Sequence, residues 1–427
     1  MPVPAIDTGD TAWVLVSAAL VMLMTPALGF FYGGLVRGKN VLATIMQSFF
    51  VLALISVQWV LWGYSLAFGP DVGGGIIGGL NWLGFVGVGG DPNPDYAATI
   101  PHQAFAIFQM MFAVITPALI TGAFAERKRF KAFIIFTLLW ATFVYDPIAH
   151  WVWSCTGVPG AEVVNGCAGV PGWLRGLGAL DFAGGTVVHI SSGVSALVAA
   201  LVLGPRLGLG KQEMQYDDAR MVVLGASLLW FGWFGFNAGS AVASGVLATS
   251  AFLVTNTAAG MAAITWMTIS WIHKGNPSVI GAAAGAVAGL VAITPASGFV
   301  DPRAAILIGL GAGVFCYLGV ELKNKLRVDD ALDVWGVHGV GGTWGALATG
   351  LFATTAVNAA GGNGLFFGNP GQFLVQLAAV VTVWIYAGAA TWIILKLVDV
   401  TVGLRVPEEE EEAGLDIAQH GEVAYRL

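Results

Sequence analysis

The sequence predicts an all-α polytopic membrane protein, and three observations carry that prediction. Of the 427 residues, 57% are hydrophobic and only 10% are charged, where soluble domains carry roughly a quarter charged residues. The mean hydropathy is +0.79. Eleven apolar runs approach or exceed the ~20 residues that a membrane helix needs, and the basic residues fall between those runs in a one-sided way. The 60 glycines suit helices that approach closely, because helix association in lipid rests on small-residue packing. Much of the net charge of −7 comes from Glu408–Glu412, and no basic footprint for nucleic acid is present.

In chain order the runs are 11–33, 41–69, 103–125, 132–153, 180–204, 220–240, 251–273, 278–294, 303–321, 334–355 and 371–399. The first has no cationic region before it. Asp7 and Asp10 precede it while Arg37 and Lys39 follow, so it reads as a retained helix and not a cleaved signal. Long connections rich in glycine and proline, at 70–102, 154–179 and 356–370, would form an external cap. The segment from Thr401 onward is the one sizeable hydrophilic stretch on the other side.

Basic residues concentrate in cytoplasmic loops. With the N-terminus outside, the internal connections hold Arg37, Lys39, Arg127, Lys128, Arg129, Lys131, Arg206, Lys211, Arg220, Lys274, Lys323, Lys325 and Arg327. Lys396, Arg405 and Arg426 join them at the chain's end, making 16 of the 18 basic residues and leaving Arg175 and Arg303 outside. The expected topology is therefore N-out and C-in. Residues 1–400 form the membrane domain, with one repeat over about 11–204, a second over about 220–355 and an eleventh helix over about 371–399; residues 401–427 form a cytoplasmic tail. Five helices per repeat is an odd number, so the two blocks enter the membrane from opposite sides and are related as inverted repeats, an arrangement that sets a substrate path at their interface.

Two runs break the apolar pattern alike. Asp181–Arg206 reads DFAGGTVVHISSGVSALVAALVLGPR, and Asp333–Leu347 reads DVWGVHGVGGTWGAL. Each opens on an aspartate preceded by Ala-Leu and carries one histidine, His189 or His338; these are the fifth and the tenth runs, so each closes a block of five. A single membrane histidine is often only an interhelical hydrogen-bonding residue; a matched pair points to a pore lining. Metal or haem ligation is disfavoured by spacing. Asp181 and His189 stand eight residues apart, about 12 Å along a helix, and Asp333 and His338 stand five apart on different faces. Two neutral imidazoles in apolar surroundings can share a hydrogen bond and pass a proton. Asp333 is expected to cap backbone amides; for Asp181, a cap that also steadies an incoming cation is equally open.

Phe108 and Phe112 share one face at the outer end of the third run, Trp153 ends the fourth, and Phe236 and Ser240 close the sixth at that level. The plain alternative is packing or an interfacial aromatic belt. Ring faces together with a hydroxyl are what a small cation requires.

These residues match a known family. The DFAGGTVVHISSGVSALVAALVLGPR segment closely resembles the signature of the ammonium transporter, methylammonium permease and Rhesus (Amt/Mep/Rh) family, and GFFYGGLVRGKN, FAERKRF, WFGWFGFNAGS, ITPASGFVDP and DVWGVHGVGG extend the likeness over nearly the whole chain. The closer likeness is to microbial Amt proteins. The resemblance implies that Phe108, Phe112, Trp153 and Ser240 recruit ammonium, with methylammonium as its analogue, and that Phe112 and Phe236 gate the path. His189 and His338 are then the twin histidines, and Asp181 is the carboxylate that conduction needs. It also implies a homotrimer in the cell membrane, with a pore in each subunit, no cofactor, and a tail where a P-II signal protein would act.

One departure stands out. After Trp153 the chain runs SCTGVPGAEVVNGCAGVPGWLR, longer than the family's usual turn, so Trp173 competes for the recruitment role, although Trp153, directly after the AHWVW run, fits it better. Cys155 and Cys167 would face the oxidising side and staple this insertion, or else remain two free thiols. The tail's GLDIAQHGEVAY resembles the family's tail ending and is expected to pack on the cytoplasmic face and couple subunits, whereas Glu408–Glu412 alone reads as a solvated charge run. The expected function is ammonium transport. The alternative is an ammonium sensor, which usually carries a fused signalling domain that is not seen before Leu427. An enzyme is not expected, since no nucleophile–base pair or metal set is evident.

Overall fold

A computed structural model describes residues 5–158, 160–163 and 166–425; Arg426 lies outside this set. Among the described residues, nine helices are long and apolar enough to cross a membrane. They are α1 (Thr8–Leu35), α2 (Gly38–Phe68), α3 (His102–Phe124), α4 (Phe130–Trp153), α5 (Gly185–Leu203), α6 (Ala219–Ala241), α7 (Val246–Lys274), α9 (Pro302–Lys325) and α11 (Pro370–Val402). The two other expected runs form shorter apolar helices. α8 covers Val279–Ile293 and ends in the turns around Pro295, while α10 comprises a π turn, Trp335–Gly339, continued by Val340–Phe352.

Connections alternate between two ends of the bundle. One end carries a small antiparallel hairpin, β1 (Cys155–Gly157) paired with β2 (Gly169–Pro171), and Cys155 and Cys167 are joined there as a disulfide with Cα atoms 5.6 Å apart. The other end carries the tail. Glycines set the helix spacing: a Cβ on Gly225 or Gly232 of α6 would lie 2.4 Å from Phe31 N or 2.3 Å from Met24 Cγ of α1, so these backbones meet only because no side chain intervenes. Leu15, Phe49, Leu61, Phe231, Ile264 and Ile385 point outward, as side chains facing lipid do.

Buried charge gathers at the tail end. Arg206 grips Asp329 through Nε and Nη2 at 3.0 and 2.9 Å, and Glu126 lies 2.5 Å from Arg37. Burial works to raise the Asp329 carboxyl, but the hydrogen bond from Arg206 and the Arg127 charge win, so it stays below the usual range. The Lys128 ammonium sits 3.7 and 3.8 Å from the centroids of Phe124 and Phe136, and burial lowers its pKa well below the ordinary value.

The tail is packed against this end. α12 (Glu408–Ala413) presents Glu411 inward, where it accepts from Arg405 Nη2 at 2.7 Å and from the Leu207 amide at 2.6 Å. The run of glutamates is therefore not merely a solvated face, since Glu411 is only 1% exposed. Asp416 accepts from the Leu42 and Ala43 amides at 3.1 and 2.8 Å, completing the first turns of α2. Gln419 accepts from the Phe130 amide at 3.2 Å where α4 begins.

Candidate functional site

At the hairpin end a recess is lined by Phe112, Trp153, Ser240, Asp181 and Arg175, among others. Trp153 is held at both ends. Its indole N–H donates to the Asp181 carbonyl at 2.9 Å, and its own carbonyl accepts from Arg175 Nη1 at 2.9 Å. Trp173 instead packs on Trp151, with centroids 5.7 Å apart, and does not line the recess. Phe108 also lies behind the surface, edge-on to Phe112 at 5.0 Å and fully buried, so the expected recruiting face lacks this ring. The Ser240 hydroxyl donates to the Phe236 carbonyl at 2.8 Å, which leaves its lone pairs for the recess.

Rings continue inward from Trp153 as a series. Trp153 meets Phe112 at 6.0 Å, Phe112 covers Phe236 at 4.2 Å, Phe236 stacks on His189 at 6.0 Å and His189 on His338 at 5.3 Å. Below the two phenyl rings lies a cavity lined by Leu28, Phe31, Ile115, Leu119, Trp233 and both histidines. The histidine Nδ1 atoms are 3.2 Å apart, so one carries the proton and the other accepts it. Among the described residues His189 Nε2 has no protein partner, and His189 lines the cavity. This approach depends on glycine: a Cβ on Gly193, one turn after His189, would stand 2.1 Å from Gly339 N, next to His338.

The Asp181 carboxylate is engaged by the backbone that starts α5. It accepts from the amides of Gly184, Gly185 and Thr186 at 2.7, 2.6 and 2.7 Å, from the Val187 amide at 3.3 Å, and from the Thr186 hydroxyl. These contacts describe a cap, which both expected roles of Asp181 include. Four backbone donors at the start of α5 are satisfied by one side chain, through Gly184 at φ +112°.

Asp333 requires a correction, because it is not a cap. It has φ +61°, and its carboxylate accepts from Lys323 Nζ at 2.5 Å. The cap of α10 is Asp330, whose Oδ2 accepts from the Trp335 amide at 2.7 Å. The shared Ala-Leu-Asp triplets misaligned the copies. The signal that finds Asp330 is spacing, because Asp330 precedes His338 by eight residues, as Asp181 precedes His189. Burial pushes the Asp330 carboxyl up to about 6, against the pull of the nearby Lys323 ammonium. Arg175 and the double clamp on Trp153 also escaped the sequence, since nothing local ties residue 175 to residue 153.

Comparison with known proteins gives the family. The model of the Ammonium Transporter Family matches residues 12–425. An ammonium transporter of Bacillus subtilis is 51% identical over 421 residues, 98% of each chain. The crystal structure of Saccharomyces cerevisiae Mep2 superposes with a TM-score of 0.88 at 38% identity, covering 99% of this chain and 92% of that one. A structure titled Sensor Amt Protein gives a TM-score of 0.85 at 28% identity over 96% of this chain and 98% of the other. The matched segment takes in the recess, the ring series and the histidine pair, and the chain belongs to the Ammonium Transporter Family.

Proposed function

We propose that this protein carries ammonium across the cell membrane by recruiting NH4+ at the recess, removing its proton and passing NH3 along the histidine-lined cavity. The observation that carries the reading is the unbroken ring series from Trp153 to His338, ending in an imidazole pair with one shared hydrogen bond. Trp153 and Phe112 offer ring faces to a cation and Ser240 an acceptor. Phe112 and Phe236, 4.2 Å apart, act as the gate that admits one small molecule at a time.

Magnitudes favour splitting the ion. Moving a bare cation through an apolar cavity costs tens of kcal/mol by the idealised Born estimate. Releasing a proton about two to three units below the ammonium pKa costs roughly 3 to 4 kcal/mol at 1.36 kcal/mol per unit. Asp181 serves by shaping the start of α5, its carbonyl holding Trp153 while its carboxylate holds the backbone that carries His189.

The same reading takes the α1 start and the hairpin as external and the tail as cytoplasmic, with eleven spans in two inverted five-helix repeats and a last helix, α11. Residues 1–400 are the transport domain and 401–427 the regulatory tail. It assembles as a homotrimer, and the tail face is where a P-II signal protein docks.

Uptake of labelled methylammonium by cells without transporters of their own tests this. We expect uptake with the wild-type chain and a loss of at least about tenfold, or ~1.4 kcal/mol, in Phe112→Ala and in the His189→Ala, His338→Ala double variant. Wild-type protein that reaches the membrane and moves no substrate refutes it. The second reading, an ammonium sensor, draws on the Sensor Amt Protein likeness and predicts ammonium binding without uptake.

A further inference from the structure

A second polar cluster lies inside the bundle, away from the ring series. α2 and α4 each contain a π turn, Trp59–Gly63 and Ala141–Tyr145. Such turns are rare and often mark functional positions. Gln58 directly precedes the first and Asp146 directly follows the second, and Gln58 Nε2 donates to Asp146 Oδ2 at 2.9 Å. Trp62 Nε1 donates to the Thr142 hydroxyl at 3.0 Å between the same two turns. Neither Gln58 nor Asp146 lines the recess or the cavity.

Asp146 is 0% exposed and Gln58 1%. Among the described residues, no protein group bonds to the remaining carboxyl oxygen Oδ1, to Gln58 Oε1 or to the Tyr145 hydroxyl. No ion pair involves Asp146 among the described residues. The other ionisable groups on these two helices include Tyr145, His150 and Tyr64. His150 is engaged with the Ala67 carbonyl and Asp71, and Tyr64 with His102. The amide is closely seated, since a Cβ on Gly63 would stand 2.5 Å from Gln58 Oε1.

An ionised carboxylate in these surroundings is strongly disfavoured, and such a group neutralises instead. A proton on Oδ1 makes it a donor and supplies what the amide oxygen lacks. We propose that Gln58 and Asp146 form a buried proton-binding site, separate from the histidine pair, in which Asp146 is a neutral carboxylic acid ring-paired with the Gln58 amide. The Thr142 hydroxyl, 3.4 Å from Gln58 Nε2, is the next polar group along.

Infrared spectroscopy of the full-length protein in lipid nanodiscs tests this. In neutral deuterated buffer, the wild-type minus Asp146→Asn difference should contain the carbonyl stretch of a protonated acid, above the amide I band. Gln58→Leu should shift that band by removing its partner. Asp146→Asn should keep the wild-type melting temperature, because a carboxamide donates and accepts as the neutral acid does, whereas Asp146→Val should lower it. A difference spectrum with only carboxylate bands, as an ion holding water or a metal cation would give, overturns the proposal; so does an Asp146→Asn protein that melts as low as Asp146→Val. If the asparagine variant does not accumulate, carbon-13 carboxyl-labelled aspartate in wild type and Gln58→Leu reads the same group, and an unshifted spectrum overturns the site.

Discussion

The segments around His189 and His338 are two versions of one device. Each has an aspartate eight residues before the histidine, a left-handed residue three after that aspartate, a π turn holding the histidine, and a glycine four residues beyond it. In the first copy these are Asp181, Gly184, His189 and Gly193; in the second they are Asp330, Asp333, His338 and Gly342. The copies differ in what surrounds the carboxylate. Asp181 gathers four amides and a hydroxyl with no cation on it, whereas Asp330 has one oxygen without a partner and a lysine ammonium hydrogen-bonded to its own carbonyl at 2.8 Å. The backbone frame is common to both ends, and the electrostatics are not.

Removing the caps should separate the copies most. Asp181→Ala leaves five buried donors, four amides and the Thr186 hydroxyl, without this acceptor, at ~1–3 kcal/mol for each that finds no substitute. We expect little folded protein and methylammonium uptake lowered by far more than about tenfold. Asp330→Ala should be the milder change in folded yield and melting temperature; equal damage would mean that the two caps do the same work.

Exchanging the left-handed residues is the next test. Gly184→Ala forces a side chain into φ +112° with its Cβ 2.6 Å from Val188 Cγ2. A cost of roughly 1–3 kcal/mol in thermal or denaturant unfolding is expected from the strained backbone alone.

A pH series sharpens the electrostatic difference. Asp330 titrates at about 6 in the folded chain and near 3.9 when unfolded. The native state therefore holds this proton more tightly, and the contribution is full below the unfolded value and fades as pH rises through about 6. Between about pH 7 and pH 5 the wild type should gain ~1 kcal/mol from this group, and Asp330→Asn should not. Melting curves of the two proteins in detergent at both pH values check the sign. The smallest effect is expected from Asp333→Gly, which removes left-handed strain and a partly exposed carboxylate while the buried Lys323 ammonium keeps the Asp330 carbonyl as acceptor, a net change within about 1 kcal/mol.

The apolar runs, the paired histidines and the aromatic residues near them were readable from the sequence because each rests on local composition and spacing. Asp333 was misread because the aligned triplets Ala179-Leu180-Asp181 and Ala331-Leu332-Asp333 match by type, while the functional register is set by distance to the histidine. π turns add to the difficulty, since an extra residue per turn moves side chains off the face that a 3.6-residue period assigns. Contacts such as Arg175 on the Trp153 carbonyl, or Gln58 on Asp146, join helices that no local pattern links. Phe108 shows the converse: the i, i+4 spacing that pairs it with Phe112 does not say which of the two rings meets the recess.

The tail carries a consequence for how the protein is made. The amide of Ala43, near the start of the second helix, finds its acceptor in Asp416, 373 residues later. At about 5–20 residues per second, synthesis takes on the order of tens of seconds to cross that interval. Throughout that time the early helix has an open first turn, and so does the neighbouring start at Phe130 that Gln419 will cover. Residues around Asp416 and Gln419 thus close structures begun 289 to 373 residues earlier, and a ribosome that stops before them leaves a bundle whose helices are present but whose tail-side face is not yet sealed.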